Sequence, residues 1–169
     1  MTFPFSVCFS RSLKTIITAD NKEQILQYIE KSILEDKADN VIVEDMAINY
    51  KGSTSNWRGS LFGSIDNGVF YLIYEKNTWF LKYQINMLQL FIITAMMSTF
   101  IGVYDQVNGG EWWIGIVAFL WLCGANWVTI VLRHASVAAD IAWGIDELMY
   151  GKTELPEQDK MTGKLKSWF

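Results

Sequence analysis

Residues able to do chemistry are few in this sequence, and they are scattered. His134 is the only histidine among 169 residues, so a histidine-based metal cluster or a His/Cys nucleophile pair has little to build on. Asp140 and Glu147 are seven residues apart, which on a helix places both carboxylates on one face, whereas Asp146 falls on another. Paired carboxylates can exchange protons, but no substrate-binding motif accompanies these two, and a solvated acidic face is the simpler expectation. The stretch Lys51-Gly52-Ser53-Thr54-Ser55 has the composition of a phosphate loop. It lacks the glycine spacing and the following helix, so it reads as a connector. Trp57 and Arg58 beside it are candidates for contact with lipid headgroups or a partner. No catalytic residue, cofactor or metal site is expected.

Composition narrows the field further. The formal charge of −4 and the isoelectric point near 5.0 argue against a nucleic-acid partner, which needs a basic face. Cys8 and Cys123 are expected at different depths, so no disulfide is anticipated between them and a reducing compartment fits the soluble part. The first residues, Met1 to Val7, have no basic stretch ahead of a long apolar core, and a secretory signal is not expected. Mean hydropathy is only +0.15. That average hides a sharp division, because residues 83–132 hold just two charged residues, Asp105 and Glu111.

Two uncharged runs account for the division. Residues 83–104 and 112–132 are each free of charge, and the first would rise roughly 33 Å as a helix, about the thickness of a hydrocarbon core. A seven-residue turn, 105–111, contains Gly109-Gly110 and makes the two helices antiparallel neighbours. The sequence therefore predicts a two-helix transmembrane hairpin. Lys76 and Lys82 precede it, Arg133 follows it, and the turn has no Lys or Arg. By the positive-inside rule both termini are expected in the cytoplasm, with a bacterial inner membrane as the expected location. Interface residues are expected to be Trp79, Lys82 and Tyr83 on the inner side, with Arg133. Tyr104, Trp112 and Trp113 take the outer side.

Small residues recur at helical spacing within the hairpin. Ala95, Ser98, Thr99 and Gly102 mark one side of its first helix; Gly115, Ala118, Ala125 and Thr129 mark one side of its second. Close backbone approach supplies dispersion contacts in lipid, so these stripes are the expected packing faces. Asn126 is expected to join them through an interhelical hydrogen bond. The bulkier Phe91, Phe100, Phe119, Trp121 and Trp127 would face lipid or a partner.

The flanking segments must position whatever the hairpin carries. Residues 1–82 read as a cytoplasmic α+β domain, one helix on a mostly antiparallel meander sheet. Asp20 and Glu23 resemble a capping box opening a helix with Ile25, Leu26, Ile29 and Ile33 on one face. Strands are expected around 41–43 and 46–50, and a hairpin pairing strands 58–65 and 69–74 is expected around Asp66-Asn67-Gly68. Residues 133–150 are expected to continue the second membrane helix as a juxtamembrane amphipathic helix. Trp143, Asp140 and Glu147 lie on its polar side as candidate partner contacts. The remainder, 151–169, carries Lys160, Lys164 and Lys166 among apolar residues and reads as a membrane-surface tail.

Three functional readings follow from these features. The favoured one is a non-catalytic scaffold or accessory subunit of a homo-oligomeric or larger membrane assembly. Its expected partners are membrane lipid and either itself or another membrane protein. The alternative is a homo-oligomeric pore lined by Asn126, Thr94, Ser98 and Thr99, though the turn is too short for a re-entrant filter. The third is an inner-leaflet enzyme using Asp140, Glu147, His134 or Arg58, for which no spacing speaks.

Overall fold

Val7, Phe9 and Leu13 alternate with Ser6, Cys8, Ser10 and Ser12, and this period of two builds strand β1 over Ser6–Leu13. The computed structural model describes residues 4–35, 38–52 and 65–151. After β1 come helix α1 (Ala19–Glu35), strands β2 (Asp39–Val43), β3 (Ala47–Lys51), β4 (Asn67–Glu75) and β5 (Thr78–Asn86), and helices α2 (Leu88–Val107) and α3 (Ile114–Tyr150). The strands form one antiparallel sheet in the order β1-β5-β4-β3-β2. Strands β2 to β5 are a meander whose last strand, β5, comes back to pair with β1, Phe9 opposite Tyr83 and Val7 opposite Ile85.

One sheet face is apolar. Ile48, Tyr50, Phe70, Leu72, Leu81, Tyr83 and Ile85 are all buried there. Helix α1 covers part of that face with Ile25, Leu26, Ile29 and Ile33, the 3-4 spacing that a helix needs to present one stripe. Its start differs from the capping box expected at Asp20. The helix begins at Ala19, and Asn21 organises the entry instead. Its Oδ1 accepts the Thr18 backbone N–H (2.8 Å) while its Nδ2 donates to the Ile16 carbonyl (2.9 Å). A carboxamide can do both at once; the Asp20 carboxylate can only accept.

Asn67-Gly68 also departs from expectation. The pair opens β4, opposite Lys51 and Tyr50 on one side and Asn86 and Ile85 on the other, and makes no turn. Gly68 is required by packing, since a Cβ there would overlap the Tyr50 hydroxyl. The tight turn lies at Lys76-Asn77, whose φ values of 50° and 64° suit the two-residue reversal between Glu75 and Thr78. Of the strand expected over 58–65, all but Ile65 lies outside the described residues, as do Trp57 and the tail from 152 onward.

Both apolar helices are shifted relative to the sequence reading. Tyr83 to Asn86 belong to β5, because Tyr83 and Ile85 alternate with Lys82, Gln84 and Asn86 and the stretch pairs with both β1 and β4. The first apolar helix therefore starts at Leu88 and runs to Val107, and the second starts at Ile114. Asp105 shapes the turn between them: its carbonyl accepts from Gly110 N–H (2.9 Å) and its carboxylate from Glu111 N–H (2.8 Å).

Helices α2 and α3 are long and apolar enough to cross a membrane. Of the most apolar eighteen-residue window in each, only 17% is buried within the chain. Phe100 and Trp121, for instance, are 71% and 74% exposed. A core helix of a water-soluble domain would bury such side chains.

Candidate functional site

The described groups with the most connected polar chemistry gather where the sheet meets the two apolar helices. Strand β5 passes into α2 through Met87 alone, which is fully buried and donates its N–H to the Phe5 carbonyl (2.8 Å). The first turn of α2 leaves N–H groups without intrahelical partners. Asp66, from the segment before β4, supplies an acceptor: Gln89 N–H lies 3.1 and 3.3 Å from its two carboxylate oxygens. Asn86 Oδ1 accepts Leu88 N–H at 3.3 Å. A carboxylate at this position also opposes the positive end of the helix dipole.

The segment ahead of β1 closes the joint from the other side. The Trp127 indole N–H donates to the Pro4 carbonyl (3.1 Å), and the Phe5 ring meets Phe91 edge-on at 4.9 Å. Trp127 and Phe91 thus pack on this chain's own N-terminal segment, not solely outward.

Beneath the joint runs a buried polar chain. Tyr83 lies at its centre, its ring stacked on Phe70 with centroids 3.9 Å apart and planes 1° from parallel. The Tyr83 hydroxyl is hydrogen-bonded to the Tyr50 hydroxyl and, at 2.6 Å, to His134 Nδ1. His134 is fully buried on α3, just past the apolar span. Burial, and then the neighbouring Tyr83, push the Tyr50 hydroxyl well above its ordinary value, so it stays protonated at neutral pH. The chain from Tyr50 to Tyr83 to His134 ties β3, β5 and α3 together. It presents no nucleophile to solvent; what it does chemically is hold position.

Asp146 makes the second tie. It sits on the sheet-facing side of α3, and its Oδ1 accepts the Thr15 N–H (2.9 Å) and hydroxyl (2.7 Å) while Oδ2 accepts the Lys14 N–H (3.1 Å). A buried carboxylate is tolerable only when so satisfied. In the sequence Asp146 is the carboxylate that falls off the face shared by Asp140 and Glu147. Its signal was available: it adjoins Ile145 on the apolar stripe, where a lone charge must find buried donors.

The expected partner contacts fall elsewhere. Asp140 is exposed, and Trp143 and Glu147 are half-buried. Between α2 and α3 the contact runs along Thr94, Ser98 and Gly102 on one helix and Gly115 and Cys123 on the other. Added Cβ atoms show how close it is: one on Gly115 would lie 2.8 Å from the Ser98 carbonyl oxygen and 3.0 Å from Gly102 Cα. Ala118 is half-buried.

Ala95, Thr99, Ala125, Asn126 and Thr129 are exposed, off that contact. Asn126 makes no bond to α2. Its Nδ2 donates to the Leu122 carbonyl of its own helix (2.6 Å), and the Thr99 and Thr129 hydroxyls likewise turn back four residues.

The interface residues divide as well. Tyr104, Trp112 and Trp113 flank the turn and are exposed, as is Arg133. Trp79, Lys82 and Tyr83 lie within β5 instead of at a helix end. Trp79 is toward the strand end remote from α2 and packs on Tyr74 at 5.2 Å; Lys82 pairs with Glu75 at 2.7 Å. Among the described residues no three His, Cys, Asp or Glu side chains are grouped to hold a metal ion. Comparison with protein-family models, with curated proteins and with solved structures finds no match.

Proposed function

We propose that the chain is an integral membrane protein and a non-catalytic scaffold or accessory subunit of a homo-oligomeric or larger membrane assembly. In this reading α2 and α3 span the bilayer to about residue 132. The sheet, α1 and the rest of α3 stand in the cytoplasm with both termini, since Arg133 follows the second span and the opposite turn has no basic residue.

One observation carries the proposal: the sheet is tied to the hairpin at every passage between them. Strand β5 enters α2 through a single buried residue, and α3 is one unbroken helix of 37 residues that starts at the turn and carries the Asp146 clamp near its far end. Such ties remove the hinge that a mobile lid or tethered enzyme would use. They suit a part that holds a protein surface at fixed height and orientation over a membrane. The exposed apolar sides of the hairpin leave room for lipid and further helices around it.

The test is purification of the full chain from membranes in mild detergent, with its mass measured by light scattering and co-purifying proteins identified. A stable oligomer or a stoichiometric partner is expected. A lone monomer would overturn the assembly reading, and release from membranes by alkaline carbonate would overturn the membrane reading.

A further inference from the structure

The second face of the sheet, opposite the core, carries a concave site that the scaffold reading does not use. It spans three neighbouring strands at the end nearest α2. Ser6, Asn86 and Asn67 form one cross-strand row, Gln84 and Val69 lie in the next, and Tyr71 follows. The cavity measures about 270 Å³, near the lower end of roughly 300 Å³ for small-molecule sites. That is room for one ring-sized group and not for an extended chain.

Its lining is uncharged and dense in groups that both donate and accept. Gln84 Nε2 donates to Ser6 Oγ (3.0 Å), which orients the amide and the hydroxyl together. Tyr71 is near the Cys8 thiol (3.8 Å), and partial burial, then that thiol, hold its hydroxyl protonated above the ordinary phenol value. Val69 supplies an apolar floor between these polar groups. Amide, hydroxyl and phenol groups over an apolar floor match a sugar ring, whose hydroxyls are bifunctional and whose C–H face is apolar.

The charges around the site argue against a phosphate. Lys82, across from Tyr71, is engaged with Glu75. The first turn of α2, a natural anion site, already holds the Asp66 carboxylate, which would repel another anion. Depth indicates the source, because Asn86 is two residues from the start of α2 and so lies at headgroup level if α2 spans the bilayer.

We propose that this groove binds the uncharged, hydroxyl-rich headgroup of a membrane glycolipid, a reading that rests on the membrane placement above. The test uses the full chain in a detergent without a sugar headgroup, with bound lipid read by native mass spectrometry. Monoglucosyl diacylglycerol and phosphatidylglycerol of the same acyl chains are offered in equal amounts. At least fivefold preference for the glucosyl lipid is expected, abolished in both Gln84→Ala and Asn67→Ala, with thermal midpoints checked to confirm folding.

Equal retention of the two lipids, or a preference that survives both substitutions, overturns the proposal. So does methyl glucoside binding as tightly as the lipid, which would make the ligand a free sugar. Recovery in the membrane fraction without lipid preference removes this inference alone. Loss from that fraction removes the membrane placement and the headgroup with it.

Discussion

The Asp146 carboxylate accepts both the backbone N–H and the hydroxyl of Thr15, at 2.9 and 2.7 Å. Thus a side chain near the end of the longest helix fixes the turn that follows β1, more than 130 residues earlier in the chain. Breaking this tie tests whether the sheet and the hairpin are one mechanical unit.

Asp146→Ala strands three donors that the native carboxylate satisfies, and should destabilise the fold by on the order of 3 kcal/mol. Asp146→Asn keeps an acceptor oxygen and should lose less. Thermal unfolding followed by circular dichroism ranks the two. Hydrogen exchange at the Lys14 and Thr15 amides should accelerate in the alanine variant before global unfolding; unchanged exchange there would contradict the clamp.

Tyr83→Phe keeps the stacking on Phe70 but removes the hydroxyl between Tyr50 and His134. The expected loss is about 1–3 kcal/mol, the cost of leaving buried polar groups without a native partner. Denaturant titration measures it, and a loss within error of zero would show that the polar chain does not support the core.

Alkaline stability should report on Tyr50. Its pKa is raised in the folded protein by burial and by Tyr83, against 10.0 for the unperturbed group. The unfolded chain therefore ionises first. The contribution from keeping Tyr50 neutral is complete below pH 10 and declines as pH rises from there through the higher folded value. Thermal midpoints between pH 8 and 11 should fall in the upper part of that range, and fall less for Tyr50→Phe.

The hairpin contact can be tested at two glycines of one helix. Gly115→Val must push backbone against backbone, since a Cβ there meets Ser98 O and Gly102 Cα, whereas Gly124 has open space around the same atom. Gly115→Val should lower the thermal midpoint in detergent, and Gly124→Val should leave it nearly unchanged. Equal effects would place the contact elsewhere.

The sequence by itself determined what depends on local period and composition. Alternation along β1 and β4, the 3-4 spacing of Ile25, Leu26, Ile29 and Ile33, and two charge-free runs joined by a short glycine turn all follow from which side chains can face which surroundings. Only the tertiary structure decided the rest. Residues 83–86 have the composition of a membrane helix and the alternation of a strand, and it was pairing with both β1 and β4 that made them β5.

Asn67-Gly68 has the composition of a turn, yet the Tyr50 ring claims the space above Gly68 and draws the pair into β4. In the sequence Asp146 is one carboxylate off an acidic face and His134 is the one histidine. Their roles rest on Thr15 and Tyr83, partners 131 and 51 residues away. Hydrogen bonds over such separations leave no periodic trace along the chain, because the donor and the acceptor meet only after the elements that carry them have packed.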